Sequence, residues 1–178
     1  HPFILHPKEI VQTIVLEKGW NWVSLFTENK DMSLNNLLAS MKPTEGDVIV
    51  TTVNNGKMSQ FSASSKWVGN LEKLNINEGY KIYVNKADTI RIAGEILKKS
   101  TVLPLNEGWN TLGYPMPFNM EINSYLKNAD YPSGTRIMSQ DEFATFDATK
   151  KLWSGSLKYL RPNQGYRISI SGSEHLFP

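Results

Sequence analysis

The side chains that could support acid–base or metal chemistry are few in this chain and poorly placed for it. Histidine occurs only as His1, His6 and His175, near the two ends. A Ser-His-acid triad or a multi-histidine metal site would have to be assembled from those ends. The chain has no cysteine, which removes thiolate nucleophiles, disulfides and cysteine-ligated metals. We therefore expect no metal site and no cofactor.

Carboxylates are the remaining route to catalysis. A glycoside hydrolase needs two of them, about 5–9 Å apart and with separated pKa values. Asp141, Glu142 and Asp147 cluster in the second half of the chain. They lie beside a predicted hairpin tip, where solvated turn residues are usual, and they lack the spacing of a calcium-binding loop. Our leading expectation is that no residue is catalytic, and the alternative is a glycoside hydrolase-like enzyme that uses these carboxylates.

The rest of the sequence is organised as one unit that occurs twice. Leu16-x-x-Gly19-Trp20-Asn21 returns as Leu105-x-x-Gly108-Trp109-Asn110, and the pattern from Trp67 to Ile82 returns from Trp153 to Ile168. An internal duplication gives two copies of one structural unit. The chain then divides into an N-terminal arm (residues 1–12), a first repeat (residues 13–97) and a second repeat (residues 98–178).

Each repeat reads mainly as β-structure. An apolar stretch, a glycine turn and a second apolar run predict a hairpin at residues 13–26 and again at residues 101–114. Asn54-Asn55-Gly56-Lys57 predicts a second, tight hairpin, which the other copy shortens to a turn around Gln140-Asp141-Glu142. A last strand follows in each repeat, where apolar residues alternate with period two: Tyr80, Ile82 and Val84, and Tyr166, Ile168 and Ile170.

One helix is expected in each repeat. The i, i+3, i+4, i+7 spacing is carried by Leu34, Leu37, Leu38 and Met41, and again by Ile122, Tyr125, Leu126 and Ala129. Asp31 and Asn119 stand ahead of the two patterns as N-cap residues, and each helix should run for about three turns.

The predicted fold class is therefore mainly β with one short helix per repeat (α+β). A unit of about 80 residues is near the size where burial becomes marginal, because small domains bury only about 60% of the surface of the unfolded chain. We therefore expect two homologous antiparallel β-rich units, related by pseudo-twofold symmetry and packed through an apolar interface; the alternative is two separate beads on one string.

The aromatic residues divide into those that recur and those that do not. Recurrence favours core packing for the repeated set: Trp20, Trp109, Trp67, Trp153, Phe61, Phe146, Tyr80 and Tyr166. The recurring Asn21 and Asn110 should satisfy backbone groups beside the tryptophans. The unmatched aromatics are the candidate binding surface, because exposed rings offer flat apolar area at low entropy cost: Trp22, Tyr83, Tyr114, Tyr131 and Tyr159.

The charge and hydropathy of the chain limit the classes of molecule that it could bind. The net charge is +2, and Lys98-Lys99 and Lys150-Lys151 are isolated pairs, which is too little to track a phosphate backbone. No apolar run approaches the roughly 18 residues that span a bilayer. We expect neither nucleic-acid binding nor membrane insertion, and a glycan or a surface protein as partner.

Four motifs together resemble a known repeat: Gly-Trp-Asn, Gly46-Asp47-Val-Ile, Trp-Val-Gly-Asn-Leu-x-x-Leu and Glu-Gly-Tyr-Lys-Ile-Tyr. The chain resembles, over residues 13–178, the tandem "GWN…GD.I…W.G.L..L.PG.GY" repeat module of large secreted and cell-surface multidomain proteins of Bacteroidetes-type bacteria. The resemblance implies export and a noncatalytic role in a larger multidomain chain. The second copy departs from the motif where Gly46-Asp47 becomes Gly134-Thr135.

Sequence reasoning thus favours a noncatalytic extracellular or cell-surface module that acts as a spacer, an adhesion element or a carbohydrate- or protein-binding accessory domain. The enzyme hypothesis stays open beside it. A third hypothesis is an intracellular protein–protein assembly module.

Overall fold

The computed structural model of this chain describes residues 8–53, 56–96, 103–127, 130–170 and 175–177. Strands account for 47% of the structure and helices for 5%, and the strands form several antiparallel sheets. The prediction of a mainly β fold with one short helix per repeat is confirmed. Among the described residues, no helix has the length and apolar character needed to cross a bilayer.

The first repeat contains two sheets. A three-stranded sheet has the order β1-β8-β3, and a five-stranded sheet has the order β2-β7-β4-β5-β6. The elements are β1 (Ile10–Leu16), β2 (Gly19–Val23), β3 (Thr27–Glu28), α1 (Leu34–Leu37), β4 (Val48–Thr51), β5 (Met58–Ser62), β6 (Lys66–Gly69), β7 (Tyr80–Val84) and β8 (Asp88–Ile96).

The second repeat follows the same order. Its five-stranded sheet runs β10-β16-β12-β13-β14, which matches the first repeat strand for strand, and two small sheets pair β9 with β17 and β11 with β15. The elements are β9 (Leu103–Leu105), β10 (Gly108–Leu112), β11 (Met120–Glu121), α2 (Ile122–Tyr125), β12 (Arg136–Met138), β13 (Phe143–Asp147), β14 (Leu152–Gly155), β15 (Tyr159–Leu160), β16 (Tyr166–Ile170) and β17 (His175–Phe177).

The predicted hairpin at the start of each repeat is wrong. β1 pairs with β8, while β2 pairs with β7, so the glycine turn passes the chain from one sheet to the other. Gly19 and Gly108 adopt φ of 101° and 85° at this turn, a region that favours glycine. The Asn21 amide donates to Glu17 O, and its oxygen accepts from Glu17 N, as Asn110 does with Asn106. The predicted backbone role of these asparagines is confirmed.

The second predicted hairpin of each repeat is confirmed. β4 pairs with β5 up to Val50 and Met58, while Asn54 and Asn55 at the tip lie outside the described residues. In the second repeat, β12 and β13 pair around the shorter turn at residues 139–142. The last strands, β7 and β16, alternate buried and half-buried residues as their period-two pattern predicts.

Both helices are one turn long, where about three turns were predicted. The N-caps are Ser33 and Glu121 and not Asp31 and Asn119. The Glu121 carboxylate accepts from Ser124 N, whereas the Asp31 carboxylate accepts from Ser33 N before the helix. The apolar spacing still predicts which residues are buried. Leu34 and Leu37 are buried within the helix, and Leu38 and Met41 are buried after it ends. Ala129 lies outside the described residues.

The predicted N-terminal arm also contains structure. Ile10 to Gln12 are the first residues of β1, and Gln12 is fully buried. Its side-chain oxygen accepts from Phe26 N, Thr27 N and Thr27 Oγ1, and its amide donates to Ser24 O. Alternation of the strand turns this polar side chain inward, where each of its groups finds a partner.

Each repeat has its own hydrophobic cluster. Six of the eight recurring aromatics belong to these clusters: Trp67, Trp153, Phe61, Phe146, Tyr80 and Tyr166. Trp20 and Trp109 do not, since 48% and 43% of their surface is exposed, so the prediction that they are core residues is wrong. Along β2, Val23 is buried while Trp20 lies on the opposite face of the strand, and β10 repeats this arrangement.

Two residues predicted to lie on the binding surface are buried in the second cluster. Tyr114 is 1% exposed and packs edge-on against Tyr125 at 5.2 Å between ring centroids. Tyr131 is 3% exposed and packs against Phe146 and Trp153. The prediction for Tyr114 is wrong because this residue occupies the position of the equally buried Leu25. The two copies differ there in the size of the side chain and not in the face of the chain that is buried.

The two repeats meet along a seam of backbone and small polar groups. Ser24 N donates to Asn163 O at 3.0 Å, and the equivalent pair, Gly113 N and Asn77 O, is 2.8 Å apart. Thr52 Oγ1 donates to Tyr166 O at 2.7 Å across the same seam. The expected apolar interface is therefore wrong at this seam. Backbones that approach so closely must satisfy each other's polar groups.

Glycine makes this approach possible. A Cβ on Gly79 would lie 2.6 Å from Leu112 O, and one on the equivalent Gly165 would lie 2.5 Å from Val23 O. No real Cβ tolerates such distances, so each repeat inserts a glycine against the strand end of the other.

Candidate functional site

The first half of the candidate site is the outer face of β2 and β7. Cross-strand pairing sets Trp20 opposite Tyr83 and Trp22 opposite Lys81. The Trp20 and Tyr83 rings meet edge-on, with centroids 5.4 Å apart. Lys81 Nζ lies 4.7 Å from the Trp22 ring centroid. Because the hydrogen bonds between β2 and β7 fix neighbouring residues on one sheet face, these four side chains form two fixed cross-strand pairs.

The second half comes from the matching strands of the other repeat. Trp109 on β10 is the counterpart of Trp20, and Arg167 on β16 is the counterpart of Lys81. The Arg167 Cζ atom lies 4.3 Å from the Trp109 ring centroid and 5.6 Å from that of Trp22. Arg167 therefore joins an indole of its own repeat to an indole of the other. We call the six residues the seam patch: Trp20, Trp22, Lys81, Tyr83, Trp109 and Arg167.

The two charged residues of the seam patch, Lys81 and Arg167, are both positive. Burial, followed by the positive charge of Arg167, lowers the pKa of Lys81 below its ordinary value. The strand neighbours of the two cations are uncharged: Val50 and Trp22 for Lys81, Met138 and Thr111 for Arg167. Two like charges of this kind destabilise one another unless an anion lies near.

Hydrogen bonds across the seam hold the patch in place. Gln140, from the turn between β12 and β13, donates to Trp20 O at 2.8 Å and accepts from Trp22 N at 3.2 Å. Val23 then forms a β-bridge with Gln164. The free edge of β2 is thus covered by the second repeat, and the Trp20 and Trp22 backbones are fixed before any ligand arrives.

Two residues of the seam patch belong to the binding surface predicted from the sequence. Trp22 and Tyr83 were predicted as surface residues and lie in it, half-buried. Tyr159 is 49% exposed but lies on β15, opposite Glu121 of β11, and belongs to a different surface. Trp20 and Trp109 were assigned to the core, and Lys81 and Arg167 were missed.

A signal for the missed cations was present in the repeat itself. Lys81 follows Tyr80 in the first copy, and Arg167 follows Tyr166 in the second, so a positive charge is retained at one aligned position. Strand alternation places a residue after a buried tyrosine on the outer face.

Asp147 lies away from the other two carboxylates of the enzyme hypothesis, Asp141 and Glu142. Glu142 and Asp147 stand at opposite ends of β13, about 16 Å apart along an extended strand. The Asp147 carboxylate accepts from Thr149 N and Lys150 N and so closes the next turn. Within the described residues, no group of three or more histidines, cysteines or acids could hold a metal ion. His1 and His6 lie outside those residues.

Asp47 of the Gly-Asp motif has a structural environment. It is 2% exposed and accepts four hydrogen bonds, from the backbone N and side chain of both Thr44 and Asn85. Its counterpart Thr135 is also buried, and its Oγ1 has no hydrogen-bond partner in the described part of the chain. Only the first copy uses this position as a hub.

A second concavity lies beside Trp153 in the second repeat. It forms two adjoining clefts of about 400 and 450 Å³. Both are lined by Asn123 and Trp153, and the second reaches Tyr159. Asn123 donates to Trp153 O and accepts from Trp153 N, as Asn35 does with Trp67 in the first repeat, so its recurrence has a structural reason.

Known proteins add no further constraint on this site. Comparison with models of protein families, with curated proteins and with solved structures found no match.

Proposed function

We propose that this chain is a noncatalytic module of a larger exported protein, and that it binds a glycan or a surface protein through the seam patch. The module would act outside the cell or at its surface, as an adhesion or accessory element that also spaces its neighbours. The observation that carries the proposal is the pair of recurring tryptophans, Trp20 and Trp109, which stay on the outside of both repeats.

Exposure of a large ring in both copies favours recognition over packing. Contiguous exposed aromatics on a soluble protein mark interaction sites, and rigid aromatic side chains contribute much of the energy of binding. The patch is also preorganised by Gln140 and by the strand ladder, so ligand binding would freeze few side chains. The separation of Glu142 from Asp147 lends no support to the enzyme alternative.

The two repeats would form this surface as a pseudo-twofold pair, with residues 13–97 and 98–178 as the two units. Support comes from contacts that occur twice with the roles exchanged. Ser24 to Asn163 mirrors Gly113 to Asn77, and Gly165 against Val23 mirrors Gly79 against Leu112.

The proposal is tested with a glycan array and a pull-down from cell-surface material. Trp20→Ala and Trp109→Ala should each weaken binding by about ten- to thirty-fold, the usual loss for an aromatic anchor. Phe118→Ala is the matched control, since Phe118 is 53% exposed and lies outside the patch. Circular dichroism checks that each variant stays folded.

Equal binding by all three variants would place the ligand elsewhere and overturn the proposal. Hydrolysis of any bound glycan would overturn its noncatalytic part.

A further inference from the structure

The seam patch brings two cations to one indole ring. Lys81 Nζ lies 4.7 Å and Arg167 Cζ lies 5.6 Å from the Trp22 ring centroid. The two residues hold equivalent positions in the repeats, so the duplication itself retains a positive charge on each side of the seam. A cation is kept at this position in both copies, and the two cations lie close together where the repeats meet. This placement needs a physical explanation.

Pairing with a carboxylate does not supply that explanation. Neither cation has an ion pair with a carboxylate in the part of the chain that the structure describes, and the strand neighbours of both are uncharged. Burial and the neighbouring Arg167 lower the pKa of Lys81, which means that the folded protein disfavours its charge. The two like charges therefore oppose one another in the unbound protein, while each also lies against a tryptophan ring.

Arg167 also retains unused hydrogen-bonding capacity. A guanidinium has five N–H donors. Its Nη2 donates to the Met138 sulfur at 3.7 Å, which is a weak acceptor, and this is the one hydrogen bond of the guanidinium among the described residues. Arginine pairs with planar anionic groups in preference to neutral ones, and it stacks on aromatic faces while doing so.

The edges of the patch exclude one common class of ligand. A peptide that adds a strand needs a free sheet edge. Along Trp20 to Val23 the edge of β2 is already bonded to Gln140 and Gln164. What remains is the outer sheet face, which presents aromatic rings and two cations, and two cations are too few to track a nucleic-acid backbone.

We propose that the seam patch binds an acidic saccharide. Its carboxylate or sulfate group contacts Lys81 and Arg167, while neighbouring sugar rings lie on the exposed faces of Trp20 and Trp109. Trp20 lies two residues from Trp22 on the same strand face, about 7 Å along β2. The inference rests on the binding role proposed above and names the chemical class of the ligand.

The test measures binding by calorimetry with four probes. These are oligogalacturonate for a carboxylate, a heparin-derived oligosaccharide for a sulfate, a cello-oligosaccharide as the neutral sugar and poly-L-glutamate as an acidic peptide. At least one acidic oligosaccharide should bind, and its Kd should rise with salt because the contact is ionic. The better of the two identifies the acidic group.

Three variants assign the effect to the charge at the seam. Lys81→Met should weaken binding of the acidic sugar by about ten- to hundred-fold, the loss expected for a charge-assisted hydrogen bond. Lys81→Arg keeps the charge and should stay within about three-fold of the parent protein. Lys150→Met removes an exposed lysine at a distant hairpin and should change nothing.

The outcomes separate this inference from the proposed function. If the neutral sugar binds as well as the acidic ones and Lys81→Met has no effect, the acidic-saccharide inference is overturned while the binding role stands. Tighter binding of poly-L-glutamate than of either acidic sugar also overturns it. If no probe, glycan or surface protein binds at all, the proposed function fails and the inference fails with it.

Discussion

At the residue scale, the position of a side chain on its strand outweighs its chemical type. Trp67 and Trp153 are buried, whereas Trp20 and Trp109 are exposed, although all four recur between the copies. Tyrosine shows the same dependence. Tyr80 and Tyr166 begin β7 and β16, interior strands of the two five-stranded sheets, and are almost fully buried, while Tyr83, three residues further along, lies on the outer face. Burial in turn decides how each hydroxyl titrates.

Four buried tyrosines and the half-buried Tyr125 should make the protein sensitive to alkaline pH. Burial raises the pKa of Tyr80, Tyr114, Tyr125, Tyr131 and Tyr166, the last to about 12. In the unfolded chain they ionise near pH ~10. A raised folded pKa contributes stability that is present below pH ~10 and lost as the pH rises towards the folded values.

The expected result of an alkaline titration is that tyrosinate absorbance for these residues appears together with loss of the β-sheet circular dichroism signal, in one step above pH ~10. Ionisation of all the tyrosines near pH ~10 with the dichroism unchanged would contradict this expectation.

At the element scale, polar side chains fix the loops that the strands leave open. Asn35 and Asn123, each in a one-turn helix, bond both the N and the O of a tryptophan on an edge strand. Asp47 joins the turn before β4 to the turn after β7 through Thr44 and Asn85. These contacts position the outer strands, so the helices can be short without loosening the sheet.

Asp47→Ala should lower the free energy of unfolding by about 3 kcal/mol, because it leaves several buried donors without an acceptor. Urea unfolding measures the change. Asp141→Ala, at the exposed β12–β13 turn, is the control and should stay within about 0.5 kcal/mol of the parent protein. Equal stability of the two variants would show that Asp47 is not a hub.

At the scale of the whole molecule, the seam joins exposed aromatic residues of the two repeats into one surface, the seam patch. The contact between Arg167 and Trp109 lies within the second repeat, whereas the contact between Arg167 and Trp22 exists only because the two repeats meet. The junction depends on close backbone packing, and a Cβ on Gly113 would lie 2.3 Å from Ile76 O of the other repeat.

Gly113→Ala should therefore destabilise the protein by more than about 2 kcal/mol, because backbone at the seam must move to admit the methyl group. Gly108→Ala is the comparison. At that position φ is 85° and nothing lies within 4 Å, so only backbone strain of about 1 kcal/mol applies. Thermal unfolding of both variants checks the order, and a milder effect at Gly113 would argue against a tight seam.

The sequence on its own determined the repeated unit and much of its secondary structure. The hairpins β4–β5 and β12–β13 and the interior strands β7 and β16 follow from local patterns, namely turn residues between apolar runs and period-two alternation. Asn21 and Asn110 also act where the signature places them, since their contacts reach only four residues back.

Long-range pairing decided the rest. The partner of β1 is β8, more than seventy residues away, and no local pattern names it. The faces of Trp20 and Trp109, the burial of Tyr114 and Tyr131 and the polar seam all depend on which sheet and which repeat lies opposite. A sequence records the side chains on a strand, but only the tertiary structure determines which of its two faces meets the core and which pairs of distant charges meet in space.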